Sequence, residues 1–394
     1  MDGDGNSALQ GCLTGVRVLD CTQFEAGPSC TEALAWLGAE VVKVENPKLG
    51  DPGRTAFGAT KNGADSWYFL LFNANKKSIA VNLKSPSGLK LVKDLASKAD
   101  VFIENFAPGA IERLGLGYDV LRALNPGLIY AQVKGFGEGS PYENNLAFDM
   151  IAQACGGVMS ITGERNGKPR KPGPTLGDTG TGMLMAISVL GALYRRQATG
   201  QGQRLAVAMQ DAMLHYIRVA FANTAISGKA AIRNGDKSIS PPNPPCGIYP
   251  CKEGGPNDYV YIFTSRANPE HWKRLLQVIG REDLIGDPKF DTFQARAERE
   301  AMKLIGGAGI PAGALLDTLE LQNDADFERR GIMQTMEHPA AGPFKMPTWP
   351  VRHDGKPLQI KPAPLLGQHN AEVLNDWLGM SDGDVEGLRK EGAI

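Results

Sequence analysis

Residues 16–46 read VRVLDCTQFEAGPSCTEALAWLGAEVVKVEN. An apolar run at 16–22 gives way to helical spacing over 29–39, and a second apolar run follows at 40–46. Two strands joined through one helix by short connections form a β-α-β unit. The alternation continues: KKSIAVNL (76–83) predicts a strand, SPSGLKLVKDLASKA (85–99) a helix opened by Ser and Pro, and DVFIENF (100–106) another strand. Helices are expected at 107–116 and 118–124, and a strand at 127–137. This pattern predicts an α/β fold with a parallel sheet covered on both faces. Right-handed crossovers then set the strand ends, and the ligand crevice, along one edge.

Further along, a long helix is expected from Gly182 to Arg196, and residues 204–227 mix a strand start with another long helix. Residues 234–259 are dense in Pro and Gly and read as a loop or boundary. A strand at 259–264 and a helix at 268–280 follow. The expected organisation is a flexible tail (1–11), the first part of a large domain (12–234), a smaller domain (235–315) and a segment returning to the large domain (316–394).

The 394 residues are 42% hydrophobic and 22% charged, and 42 Lys plus Arg against 43 Asp plus Glu leave a net charge of −1. Such a balance supplies no general basic field, so neither nucleic acid nor an anionic membrane is expected as a partner. The N-terminal residues lack a basic segment followed by an apolar one, and nowhere do eighteen apolar residues run together, so neither a leader nor a membrane span is expected. Six cysteines without CxxC spacing suit reduced thiols in the cytoplasm.

Familiar cofactor motifs are missing. The turn after the first strand, QFEAGP, is not GxGxxG, although Glu45 at the end of the second strand is the type of acid that holds a ribose. No HxxxH, HExxH or GxSxG occurs, so no metal and no serine nucleophile is expected. What stands out is KPGPTLGDTGTGM (171–183), in which Asp178 sits among glycines just before the long helix. Two readings are open. Asp178 can cap the helix by accepting backbone N–H bonds. It can also stay ionised there and attack an activated acyl carbon, with glycines admitting a ligand. Lys76, Lys77, Lys84 and Arg113 lie near turns of the same β-α-β array, where a polyphosphate could meet them.

The ordered segments LDCTQFEAGPSCTEALAWLGAEVVKVE, NANKKSIAVNLKSPSG, ADVFIENFAPGAIERLGL, GLIYAQVKGFGEGSP, FDMIAQACGGVMSITG and LGDTGTGM resemble the class III coenzyme A transferases of the CaiB/BaiF type, over nearly the whole chain. The resemblance implies a Rossmann-like large domain, a smaller domain and an interlocked homodimer. It implies transfer of coenzyme A from an acyl-CoA (formyl-, succinyl- or similar) to a small carboxylate such as oxalate or another dicarboxylate. Asp178 would be the nucleophile, passing through an aspartyl anhydride and an aspartyl thioester, with Glu25 beside it as a second catalytic residue. Ala26, Val81, Lys84, Asn105, Phe106 and Arg113 would contact coenzyme A. Tyr68, Phe148, Asp149 and Met209 would line the acyl region.

Several positions depart from that family's formyl-CoA enzymes. They carry Gln where this chain has Glu25, and a second carboxylate near Asp178 would raise one of the two pKa values. Leu146 and Asn46 stand where they have Lys and Arg. Their mobile glycine loop is replaced by PPNPPCG (241–247), and RAEREAMKLIGGAGIPAG (296–313) is shorter than usual by about one helical hairpin. The alternatives are a 2-methylacyl-CoA racemase, whose catalytic His position aligns with Phe148, and a non-catalytic paralogue that binds CoA esters.

Overall fold

The computed structural model describes residues 11–58, 65–237, 246–251, 255–264, 268, 270–285 and 311–394. Most of the proline-rich replacement loop and of the shortened segment at 296–313 therefore lies outside the described residues. The chain separates into two compact units, one drawn from Met1–Gly156, Gly173–Tyr216 and Asp326–Ile394, the other from Gly157–Pro172 and Ile217–Ala325. Residues 235–315, expected as the small domain, fall inside the second unit.

The first unit is built on six strands: β1 (Arg17–Cys21), β2 (Glu40–Glu45), β3 (Lys77–Ala80), β4 (Val101–Glu104), β5 (Ile129–Lys134) and β6 (Gln203–Ala208). Their order is β3-β2-β1-β4-β5-β6, and every neighbouring pair is parallel. The connecting helices are α1 (Ala26–Trp36), α2 (Trp67–Phe72), α3 (Pro86–Ala96), α4 (Ala110–Arg113), α5 (Tyr118–Leu124) and α6 (Asp149–Cys155). After α7 (Val158–Ile161) of the second unit come α8 (Thr181–Thr199) and α9 (Met209–Tyr216) of the first. Strand order reverses at β1, between β2 and β4, so the loops that leave β1 and β4 diverge and open a crevice between them.

Both faces of this sheet are covered, which is why its strands read as unbroken apolar runs. Leu19, Val42, Ile79, Phe102 and Tyr130 pack against Leu91 and Leu95 of α3 and against Val373, Leu374 and Trp377 of the helix Asn370–Leu378. The C-terminal segment is tied on further by Asn82 N donating to Ala393 O (2.8 Å) and Ala80 N to Asn370 Oδ1 (2.8 Å). On α8, Gly182 faces α1. A Cβ there would lie 2.5 Å from Ala26 O and 2.9 Å from Ser29 Cβ, so glycine is what lets the two helices touch. The helical stretch Leu176–Thr199 is long and apolar enough to cross a membrane by length and composition, with mean hydropathy 1.3. In this fold one side of it, including Met185, Val189 and Leu193, is core.

Several local expectations change. The helix expected at 107–116 is only Ala110–Arg113, because Gly109 and Gly115 take left-handed backbone (φ +70° and +68°) at its two ends. The single helix expected before residue 227 is two, α9 and α10 (Arg218–Ser227), parted at the junction of the two units. Inside the expected loop 234–259 lies β7 (Cys246–Pro250), which pairs antiparallel with β8 (Tyr259–Phe263) in the second unit. β8 also pairs with β9 (Ala312–Ala314). Beneath this sheet Tyr249, Val260 and Ile262 pack on Leu275 of α11 (Glu270–Val278). In the first unit the hairpin β10 (Met333–His338) and β11 (Gly342–Pro347) had no counterpart in the strand pattern. Only Met336, His338 and Met346 of it are buried, too few to show as an apolar run.

Candidate active site

The loop after β1 is fixed at every residue. Asp20, fully buried at the end of β1, accepts from Thr22 N (2.8 Å) and Thr22 Oγ1 (2.5 Å), and Lys43 Nζ donates to Thr22 O (2.8 Å). Asn105, just beyond β4, clasps Gln23 from both sides: its Oδ1 accepts from Gln23 N and its Nδ2 donates to Gln23 O, each at 2.8 Å. Phe24 is held in left-handed backbone (φ +61°), with its N–H on Asp51 Oδ1 at 3.1 Å. The anchors are themselves ion-paired out of water. Lys43 lies 2.7 Å from Asp51, Lys76 lies 3.3 Å from Asp20, and Arg54 grips Glu45 through Nε and Nη2 at 2.7 Å each. Glu45 is thus committed to Arg54 and the Ser78 hydroxyl rather than free for a ribose. Lys76 is buried and Lys77 pairs with Glu40 and Glu372, so neither is free to meet a polyphosphate.

Next in the chain, Glu25 is buried and carries three hydroxyl donors. Its Oε1 accepts from Thr175 Oγ1 in a short bond and from Thr179 Oγ1 at 2.7 Å, and its Oε2 accepts from Tyr68 OH at 3.2 Å. Thr175 and Thr179 bracket Asp178. Leu176–Gly180 forms one turn of π-helix ahead of α8, a rare winding that recurs at functional sites. Asp149, buried at the start of α6, holds this turn from the other side. Its Oδ1 accepts from Gly177 N at 2.9 Å, and Gln153 Nε2 reaches both of its oxygens at 2.8 and 2.9 Å. A Cβ on Gly177 would lie 2.8 Å from Asp149 O. Gly177 and Gly182 therefore serve backbone packing, not ligand entry as expected.

The Asp178 carboxylate caps no helix: among the described residues no hydrogen bond reaches it and no cation pairs with it. Burial first, then the charges of Glu25 and Asp149, push its pKa up to about 7. The expectation that the helix end keeps it fully ionised at neutral pH is corrected here, since neighbouring carboxylates and desolvation outweigh the helix dipole. The expected consequence of a second carboxylate is present in direction.

A cavity of about 350 Å³ opens at the switch point. Asp178, Glu25, Ala26, Phe148 and Met209 line it, together with Asn105 and Phe106. Phe148 meets Phe24 edge to face at 6.1 Å. A second cavity of about 220 Å³ takes in Val81 and Lys84, with Asn46 opposite, and Phe106 borders both. Tyr68 and Asp149 stand behind the first cavity, holding Glu25 and the π-turn. Arg113 is exposed at the end of α4 and lines neither cavity.

The chain matches the model of CoA-transferase family III over residues 13–370. It belongs to CoA-transferase family III. Among family III relatives, formyl-CoA:oxalate CoA-transferase of Streptomyces avermitilis is 38% identical, with 97% of this chain and 99% of that protein covered. The enzyme of the same name from Bradyrhizobium diazoefficiens is 35% identical, covering 97% of each chain. The crystal structure of a CAIB/BAIF family protein from Brucella suis superposes with a TM-score of 0.80 at 29% identity, over 93% of this chain and 100% of that one. That of Rv3272 from Mycobacterium tuberculosis gives 0.76 at 28% identity, over 92% and 98%. This family III transferase is thus a mixed α/β enzyme with a six-stranded parallel sheet.

Sequence reasoning missed the residues that hold the Asp178 turn. Thr175 and Thr179 stand at i and i+4 around Asp178. On a helical turn that spacing puts both hydroxyls on one side, and this is the signal by which they could have been found. Lys134 was also missed. It lines the larger cavity, but its Nζ is held by Glu104 (2.7 Å) and Phe106 O (2.8 Å).

Proposed function

We propose that this enzyme moves coenzyme A from an acyl-CoA to a small carboxylic acid, with Asp178 as the covalent nucleophile. One observation carries the reading: a carboxylate with no cap or counter-ion among the described residues faces a cavity at the sheet's switch point, on a π-helical turn braced from both sides. An Asp178 oxygen attacks the thioester carbonyl, forming an anhydride and releasing CoA thiolate. The thiolate attacks the Asp178 carbonyl, forming an aspartyl thioester and freeing the donor acid. The acceptor carboxylate then attacks that thioester, and the released thiolate attacks the acceptor's carbonyl, which regenerates Asp178. Carboxylate is a weak nucleophile and anhydrides hydrolyse, so the chain's contribution is to hold Asp178 in place and limit water.

Coenzyme A would run from the Asp178 cavity past Phe106 towards Val81 and Lys84, whose exposed ammonium suits a phosphate. The relatives' names supply the first pair to assay, formyl-CoA and oxalate. Self-association belongs to the same reading. Ile187 and Tyr194 of α8 are 65% and 79% exposed, and Phe221 and Ile226 of α10 50% and 86%, apolar area of the kind a partner copy covers. The six free thiols suit a reducing cytoplasm. Incubation with donor and hydroxylamine, followed by peptide mass spectrometry, should find the adduct at Asp178. Full transfer by Asp178→Ala would refute the assignment.

A further inference from the structure

We propose that Glu25 is a charge screen that restricts this transferase to acyl groups without a second negative charge, so that its acceptors are short monocarboxylic acids. The inference rests on the transferase reading above and deepens it. It starts from the Glu25 hydrogen bonds. Hydroxyls of Thr175, Thr179 and Tyr68 all donate to it, covering both oxygens. The carboxylate is buried, and two of its donors, Thr175 and Thr179, bracket Asp178.

Among the described residues, the rest of the wall offers a second anion no compensation. The charged residues lining the cavity are Glu25, Asp178 and Lys134. Lys134 is already committed to the buried Glu104 carboxylate, at 2.7 and 2.9 Å from its two oxygens, and to Phe106 O. Among the described residues no Lys, Arg or His pairs with Glu25 or Asp178. Around the same space stand Phe24, Phe148 and Met209, an apolar lining that suits an uncharged acyl group. The raised pKa of Asp178 shows that a negative charge is already costly here.

The chemistry turns that environment into selection. When an acceptor carboxylate attacks the Asp178 thioester, thiolate leaves and an anhydride forms between Asp178 and the acceptor. A monocarboxylate spends its one charge in making that bond, and the acyl group is neutral. A dicarboxylate such as oxalate or succinate retains one negative charge, held against Glu25 with no cation to offset it. This departs from the dicarboxylate acceptors expected from the family resemblance, in which the formyl-CoA enzymes carry Gln at this position.

The test pairs acceptors of like size, glyoxylate with oxalate and butyrate with succinate, using acetyl-CoA and formyl-CoA as donors with the full-length enzyme. The expected result is a kcat/KM for each monocarboxylate at least ~10-fold above its dicarboxylate partner. Glu25→Gln keeps an oxygen for the threonine hydroxyls and removes the charge. It should narrow that ratio ~10-fold, mainly by raising dicarboxylate use. Wild-type enzyme that uses oxalate and succinate as well as their partners overturns the proposal, whatever the variant does. So does an unchanged ratio in a Glu25→Gln protein that melts like wild type. In both cases hydroxylamine trapping at Asp178 shows that the transferase reading stands. If no donor gives that adduct, the reading fails and the screen with it.

Discussion

As the proposed nucleophile, Asp178 should set a pH dependence that can be calculated before it is measured. With its pKa pushed up to about 7, the ionised fraction is about one eleventh at pH 6, one half at pH 7 and ten elevenths at pH 8. Only the carboxylate is nucleophilic, so kcat/KM for the acyl-CoA should rise about tenfold between pH 6 and pH 8 and then level off. The groups facing Asp178 are Glu25 and Asp149, both acids, and Tyr68, whose phenol is pushed far above the working range by burial and by Glu25 and Asp178. The inflection thus belongs to Asp178 beside two other carboxyl groups. Glu25→Gln removes one of them and should move the inflection to lower pH, while burial holds it above an ordinary aspartate. The assay is rapid quench with sub-saturating acyl-CoA in single turnover, reading enzyme-bound thioester by intact mass. A rate that is flat from pH 5.5 to 8.5, or an inflection near 4, would refute the reasoning, because it would mean that an ordinary carboxylate does the work.

The same group should tell on stability. Its folded pKa lies above the unfolded one, so its contribution is fully present below about pH 3.8 and is lost as pH rises through about 7. Asp178→Asn should therefore gain in Tm over wild type progressively across that window and hold a constant gain at pH 8, as thermal melts can check. Gly182→Val forces a side chain to within 2.5 Å of Ala26 O and should cost about 1–3 kcal/mol in urea unfolding, with loss of the Asp178 turn's geometry. Asn105→Ala removes both bonds that clasp Gln23, each worth about 1 kcal/mol, and should raise KM for acyl-CoA more than it lowers kcat. An unchanged KM would show that Phe24 backbone strain alone shapes the loop.

The sheet was legible because burial on both faces leaves an apolar signature: residues 16–46 alone announce β1, α1 and β2, and the runs at 76–83, 100–106 and 127–137 contain β3, β4 and β5. Hairpin β10–β11 was not legible, since a half-exposed ribbon with three buried side chains leaves no period to find. Within the site, Asp178 stood out by type and position, and Glu25 only through the family resemblance. Thr175 and Thr179 did not, because threonine in a Gly-Pro stretch reads as turn chemistry until the acid that its hydroxyl meets, 150 and 154 residues away, is brought beside it. Asn105 lines the cavity where a coenzyme A contact was expected of it, but its clasp on Gln23 was not legible.

The charges sealed beneath those loops, Lys43 with Asp51, Lys76 with Asp20 and Arg54 with Glu45, tie the variation of distant positions together. Bulk ions cannot reach them, so the scaffold under the crevice should be indifferent to ionic strength even where surface pairs loosen. Neutralising any one member strands its companion in a medium that cannot solvate it, at a cost of about 3–5 kcal/mol. Change at these positions is therefore passable in couples and closed to single steps. The floor of the crevice should therefore tolerate only coupled changes, a constraint the apolar walls around it do not share.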